Sequence, residues 1–348
     1  MKIGTLLNYA GDYLQAIDEI VELEQAGLDA VWVPEAYSFD AVTVMGFLAA
    51  KTKTVEIGSG ILPIYTRSPT LLAMTAAGLD ALSGGRAVLG LGASGPQVIE
   101  GFHGMVYDAP IGRTREAIDI CRSVWKREKL EYSGRYYEVP LPEGQGTGLG
   151  KSLKLINHPV RDSIPIIVAS LGDKNVEMTA ELANGWLPIF FWPERAHQVW
   201  GDALEAGYAK RDAALGQMDI IAGASVAIGD GTEPKREYGR PMAALYMGGM
   251  GAKGKNFYNN VLRRYGFEAE AEEIQNLYLS GHKEEAAALI PDEMLSASSL
   301  IGPESFVKER LRAMRDAGVT YLNISPMAST TAEKAKIVDH LKTMIADL

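Results

Sequence analysis

Short apolar runs alternate with amphipathic segments along nearly the whole chain. Residues 3–8 form a first run of strand length. Leu14, Ile17, Ile20, Val21 and Leu23 follow at helical spacing, and Gly27 stands where a helix C-terminus favours glycine. The pattern then predicts a strand over 30–33, a helix over 41–51 and a third strand over 55–62. Ser68-Pro69 has the form of an N-cap with proline at the first helical position. The helix it opens should run to about Ser83, where Gly84-Gly85 stops it. A fourth strand over 87–91 and a helix over 113–126 complete this half.

After Lys126 the rhythm breaks. Residues 128–163 predict an insertion with a small hairpin around Ser133-Gly134. The alternation returns with strands over 164–169 and 186–191, each followed by a helix (175–183 and 193–215), and a seventh strand over 220–228. A long, mostly helical insertion fills about 234–295, with a loop at MGGMGAKGK. A helix over 303–317, an eighth strand over 321–324 and a helix over 331–345 end the chain. Strict strand–helix alternation implies parallel strands with crossover helices. Eight such units fit a closed (β/α)8 barrel better than an open doubly wound sheet. With no repeated block and no long polar linker, residues 1–348 read as a single domain carrying the two insertions.

Composition narrows the function. Lys and Arg number 34 against 44 Asp and Glu, a net charge of −10. That balance argues against a nucleic-acid partner. The one cysteine, Cys121, excludes an intrachain disulfide and reads as a small core residue. No spacing of His, Cys or carboxylates predicts a metal site. No apolar run approaches the ~18 residues of a membrane span, and the start lacks a long apolar leader core, so a cytoplasmic protein is expected.

Three glycine-rich segments could carry chemistry. GLGASG, residues 90–95, matches G-x-G-x-x-G after a strand, but it lies on the fourth strand and Pro96 and Gly101 follow it. A strand end that lets a flat ligand approach the backbone fits better than a dinucleotide loop. GTGLGKS, residues 146–152, lacks the first glycine of a nucleotide-binding loop, because Gln145 stands there. A flexible loop over a site mouth is the plainer reading. ASLGDKNV, residues 169–176, joins the fifth strand to a helix. Its main-chain N–H groups could bind phosphate there, or Asp173 could simply cap the helix. Glu35, directly after VWVP, ends the second strand on what would be the catalytic face. Asn8 and Tyr9 end the first strand similarly, and His103 follows the glycine loop.

Taken together, KIGTLLNY, DAVWVPEAYSFDAVT and VEIGSGILPIYTRSPTLLAMTAAGLDALSGGRAVLGLGASG resemble the luciferase-like monooxygenase superfamily. Within it, the chain is more similar to the coenzyme F420-dependent branch that includes methylenetetrahydromethanopterin reductase. The stretches PLPEGQGTGLGKSLKLINHP and IPIIVASLGDKNVEMTAELANGWLP are also similar to that branch. The resemblance implies a TIM barrel with the deazaflavin at the carboxyl ends of the strands. It implies a cis peptide at Gly60-Ile61 behind the ring, a ring contact at Glu35 and a ring-side loop at Ser94-Gly95. It places the phosphate loop at Gly172, Asp173, Asn175 and Val176. Two departures stand out. Branch members acting on sugar phosphates carry a histidine after the strand-two acid and a glutamate after the strand-four glycine. Here Ala36 and Pro96 stand in those places.

The implied activity is hydride transfer between F420 and an organic small molecule, with Glu35, Tyr65 and His103 as candidate catalytic groups. The alternatives are an FMNH2-dependent monooxygenase, with FMN in the same barrel, and a non-catalytic flavin-binding protein. The family likeness also implies a homo-oligomer.

Overall fold

The computed structural model describes every residue except Tyr9 and Ala252. The strands are β1 (Lys2–Leu6), β2 (Ala30–Val33), β3 (Glu56–Ser59), β4 (Leu62–Pro63), β5 (Ala87–Gly92), β6 (Tyr132–Ser133), β7 (Glu138–Val139), β8 (Ile166–Val168), β9 (Gly185–Trp186), β10 (Asp219–Ile228), β11 (Ser299–Gly302) and β12 (Tyr321–Pro326). Parallel pairing runs β1-β2-β3-β5-β8-β9-β10-β12 and returns to β1, with β4 carrying the third strand's edge along β5. This is the expected closed (β/α)8 barrel. The β6–β7 pair is a separate antiparallel hairpin, where the sequence placed one.

The barrel interior holds Ala30, Trp32, Val88, Ile167, Ile221 and Tyr321. Trp32, at 1 % exposure, is the central plug. A Cβ at Gly58 would sit 2.5 Å from its ring, and one at Gly4 2.8 Å from its Nε1. Glycine on the flanking strands is therefore the space that the indole occupies. Outward-facing residues such as Ile3, Val31, Ile57 and Leu322 pack against the helices in the main core.

Helix starts follow their caps. Ser68 Oγ accepts from Leu71 N with Pro69 at the first position, and Gly84 ends that helix at φ +70. Three expectations are corrected. The sixth strand is only Gly185–Trp186, because the chain leaves the sheet after Leu187 N bonds Val168 O. The helix expected over 193–215 is Ala196–Tyr208; beyond it Arg211 turns back to bond the carbonyls of Ala180 and Ala183. β11 pairs with the upper half of β10 and was not foreseen; its apolar run, Leu300-Ile301, is too short to signal a strand.

The first insertion is fixed by one carboxylate. Buried Glu116 accepts from the N–H groups of Arg135, Tyr136 and Tyr137, and a Cβ at Gly134 would lie 2.4 Å from its Oε2. The run after the hairpin does not cover a site mouth, contrary to expectation. Its anchors, Leu130 N to Leu153 O and Ser152 to Glu131, lie beyond the C-terminal end of helix Pro110–Trp125. That end belongs to the opposite, amino-terminal face of the barrel. The second insertion is a helical cluster over the fifth and sixth strands, with Ala252 of its predicted loop outside the described residues.

Among the described residues no helix is long and apolar enough to cross a membrane.

Candidate active site

The carboxyl ends of the strands carry most of the sequence-predicted residues. After β2, Glu35 is not a free carboxylate. Its Oε1 accepts from Arg67 at 2.5 Å and its Oε2 from Arg67 at 2.8 Å and from Ala41 N at 3.0 Å. Arg67 also reaches Asp40 at 2.6 Å. Glu35 and Arg67 side chains are only 8 % and 14 % exposed. The pairing with Glu35, foremost, raises the Arg67 guanidinium above its ordinary range. The trio ties the N-terminus of helix Ala41–Lys51 to the segment after β4. Sequence spacing gave Glu35 but not Arg67 or Asp40, whose proximity depends on barrel closure.

The peptide between Gly60 and Ile61 is cis, as the resemblance implies. A Cβ at Gly60 would lie 3.0 Å from Trp32 and 3.4 Å from Leu6. Leu6, at the end of β1, is 42 % exposed although its strand lines a closed barrel, so the mouth is open above it. Asn8 Oδ1 accepts from Ala10 N within its own turn; Tyr9 lies outside the described residues.

The glycine motif after β5 divides into two parts. A Cβ at Gly90 would fall 1.8 Å from Ser59 O, and one at Gly92 2.7 Å from Ile61 Cγ1. These glycines admit the neighbouring strand, not a ligand, which corrects the reading of the motif as a whole. Ser94, at φ +57, and Gly95 differ: nothing lies within 4 Å of a Cβ on Gly95. Gly95 precedes the short helix Pro96–Gly101, after which comes His103. His103 Nε2 is buried with no hydrogen-bond partner among the described residues. Tyr65, by contrast, donates its hydroxyl proton to Asp108 O at 2.7 Å, and burial, above all, raises its pKa. That hydroxyl already has its acceptor, a structural bond rather than an open one.

After β8, Gly172 caps helix Asp173–Leu182. The N–H groups of Asn175 and Val176 both donate to Gly172 O at 2.9 Å. The main-chain donors left without an intrahelical acceptor are therefore those of Asp173 and Lys174. The Asp173 carboxylate is neutralised by Arg264 at 2.5 Å. Asn175 Oδ1 is buried without a partner among the described residues, while Val176 is fully buried core. The second insertion closes this edge: Phe257 lies 3.4 Å from where a Gly172 Cβ would be. Tyr258 packs edge-on to Tyr246 and Phe190. Burial, then Tyr246 and Tyr107, push its hydroxyl up to about 12. Tyr107 in turn approaches Ser94 O at 3.4 Å. Arg264, Phe257 and Tyr258 gave no signal in sequence, since they come from an insertion without a strand rhythm.

A cavity of about 70 Å³ lies at the other end, among Glu56, Arg86, Asn184, Asp219 and Tyr321. These residues begin the strands, so this space belongs to the stabilising face of the barrel rather than to chemistry.

Comparison with known proteins settles the family. Residues 1–321 match the family described as luciferase-like monooxygenase. The chain belongs to that family. A protein of Mycobacterium tuberculosis, provisionally named a coenzyme F420-dependent oxidoreductase, is 40 % identical over 350 residues, covering 99 % of each chain. A 5,10-methylenetetrahydromethanopterin reductase of Archaeoglobus fulgidus is 29 % identical over 303 residues, 85 % of each. The solved structure of the coenzyme F420-dependent tetrahydromethanopterin reductase of Methanopyrus kandleri superimposes with a TM-score of 0.78 at 22 % identity, over 99 % of this chain and 98 % of that one. In this luciferase-like family member, then, the Glu35–Arg67 pair and the Gly172 helix both follow carboxyl ends of barrel strands.

Proposed function

We propose that the protein is a coenzyme F420-dependent oxidoreductase acting on a small organic molecule, and that residues 172–174 hold the cofactor phosphate. The 40 % identity to the M. tuberculosis protein over essentially the full length carries the choice of cofactor. The site supports it. Two unsatisfied N–H groups at the start of a ten-residue helix favour an anion. Arg264 pairs with the Asp173 carboxylate, which would otherwise repel it. The orphaned Asn175 amide oxygen marks a polar place that protein atoms leave unfilled, and it would serve a hydroxyl of the cofactor tail.

When bound, a deazaflavin supplies two-electron hydride chemistry. The chain's own residues supply the rest. Gly60, Ile61, Ser94 and Gly95 line the two sides available to a ring. Glu35 acts through Arg67 and Ala41, fixing the loops around the ring, and is a positioning residue in this reading. His103, whose buried Nε2 has no partner among the described residues, is the candidate to hold or move a proton, and meeting substrate would require its ring to turn toward the mouth. Tyr65 braces the main chain at Asp108.

Titrating the purified protein with F420 and with FMN, following cofactor fluorescence, tests the proposal. Saturable F420 binding at least tenfold tighter than FMN binding is expected. Tight FMN binding without an F420 response would move the protein to the reduced-FMN monooxygenase reading that the family name favours. Binding of either without turnover of any acceptor would leave a flavin-binding protein.

A further inference from the structure

Above the Trp32 plug the barrel lumen is lined unevenly. Side chains alternate along a strand, so residues two apart share a face. Tyr321 faces the interior, which turns Asn323 and Ser325 inward on β12. Ile221 does the same for Gly223 and Ser225 on β10. Asn323 lies between Gly4 and Gly223 in the sheet, and Ser225 lies beside Ser325. On the strands to either side the inward side chains are apolar: Leu6 at the end of β1 and Leu187 just past β9. The polar groups are thus gathered on β10 and β12, which stand across the barrel from β3 and β5.

This patch has the marks of a ligand site. Asn323 Oδ1 is buried with no hydrogen-bond partner among the described residues, although the residue itself is partly exposed. Trp32 Nε1, 2.8 Å from where a Gly4 Cβ would be, is likewise buried without a partner among them. Gly223 is exposed in the middle of a ten-residue strand, and a Cβ there would meet only Asn323 O, at 3.6 Å. Packing therefore does not call for glycine at this position. Glycine inside a strand weakens it and often marks the close approach of a ligand.

We propose that Ser225, Asn323 and Ser325 anchor the polar end of the substrate, and that the substrate is an uncharged molecule with an apolar body and a hydroxyl or carbonyl group. The proposal rests on the cofactor reading, in which the ring lies at Gly60 and Ser94 and leaves the opposite wall to the substrate. Amide and hydroxyl side chains both donate and accept, so they match either oxygen. The terminal torsion of asparagine is soft, and turning it carries Oδ1 into the lumen. None of the inward residues named here is charged. The guanidinium groups described at the mouth are already engaged, Arg67 by Glu35 and Asp40, and Arg264 by Asp173. A carboxylate or phosphate on the substrate would lose water against this wall without gaining a counter-ion. Leu6 and Leu187 suit the apolar body.

Cyclohexanol, cyclohexanone and cyclohexanecarboxylate share one apolar body and serve as probes. Ligand-observed NMR on the F420-loaded protein, and on the protein alone, gives their affinities. Cyclohexanol and cyclohexanone should bind, and the carboxylate at least tenfold more weakly. Gly223→Val fills the space beside Asn323; its Cβ enters open room and valine suits a strand, so the melting temperature should hold. That variant should weaken cyclohexanol binding at least fivefold with F420 affinity unchanged, and Asn323→Leu should weaken it similarly. Equal binding of the carboxylate, or wild-type affinity for cyclohexanol in the folded Gly223→Val protein, overturns the proposal. So does a tenfold loss of F420 affinity in that variant, which would assign the patch to the ring. Failure of F420 to bind, with cyclohexanol binding still lost in Gly223→Val, would overturn the cofactor reading and keep the anchor.

Discussion

At the scale of single residues, Gly172 separates the two roles that a strand–helix turn can have. Its φ of −76 is open to any residue, and a Cβ there makes only ordinary contact with Phe257. Substitution should therefore spare the fold. A branched side chain, however, would stand beside the free N–H groups of Asp173 and Lys174. Losing one charge-assisted hydrogen bond, worth roughly 1.5–3 kcal/mol, weakens binding by about 10- to 100-fold. Gly172→Val is expected to lower F420 affinity by that amount with little change in melting temperature. Lys174→Ala should do much less, because that side chain is 82 % exposed and already paired with Glu177. Fluorescence titration and a melting curve for each variant check both. A Gly172→Val protein that is folded and binds like the wild type would put the phosphate elsewhere. The sequence pointed to this loop but not to which of its donors are free. It grouped Asn175 and Val176 with the phosphate, whereas their N–H groups close the first helical turn on Gly172 O. Which amides remain free is set by cap geometry, and residue identity does not encode it.

At the scale of elements, the glycine motif on β5 shows where pattern and packing part company. The sequence offers four similar glycines in and beside GLGASG, and a motif search weighs them alike. In the barrel, Gly90 is pressed against the Ser59 main chain, with Ser59 Oγ bonding both its N–H and its carbonyl, at 2.8 and 2.7 Å. Gly95 faces open space. Gly90→Ala would place a carbon 1.8 Å from a backbone oxygen that no side-chain rotation can relieve. It should abolish soluble expression or lower the urea midpoint severely. Gly95→Ala should change stability by less than about 1 kcal/mol. Equal stability of the two variants would mean that β3 and β5 are not so closely apposed. The barrel itself was legible because its strands are short buried runs separated by amphipathic helices, and such periodicity survives in one sequence. β9 was over-extended because the apolar residues 187–191 belong to the core without belonging to the sheet. β11 was missed because its buried apolar run, Leu300-Ile301, is only two residues long and follows a helical segment directly.

At the scale of the whole molecule, several carboxylates that tie down helix ends or join distant parts of the chain titrate below their ordinary range. Burial alone would raise Glu24, yet the N–H groups of Val55, Thr54 and Lys53 more than reverse this, so that it fastens helix Tyr13–Gln25 to the start of β3. Glu177 is held at about 2, against 4.5 when unperturbed, by Lys210 and then Lys174. Arg115 likewise lowers Glu181, and Thr330 lowers Glu333. Each depressed carboxylate binds its proton more readily in the unfolded chain than in the folded one. Its contribution is therefore complete above the unfolded value and disappears as the pH falls through the folded value. Asp119 acts in the opposite sense, since burial raises it and protonation relieves the fold. One such group opposes several, so the net slope is toward acid instability. The urea midpoint is expected to be flat from about pH 8 to about pH 5.5 and to fall steeply between about pH 4.5 and pH 2. Because the lysines that pair with Glu177 are exposed, salt should weaken their share of the slope, while the hydrogen bonds to Glu24 should be less affected. Urea titrations at half-unit pH steps, at low and at 0.5 M salt, would measure this. A midpoint that held its neutral value down to pH 3 would show that these carboxylates do not hold the barrel's outer helices in the way the ion pairs indicate.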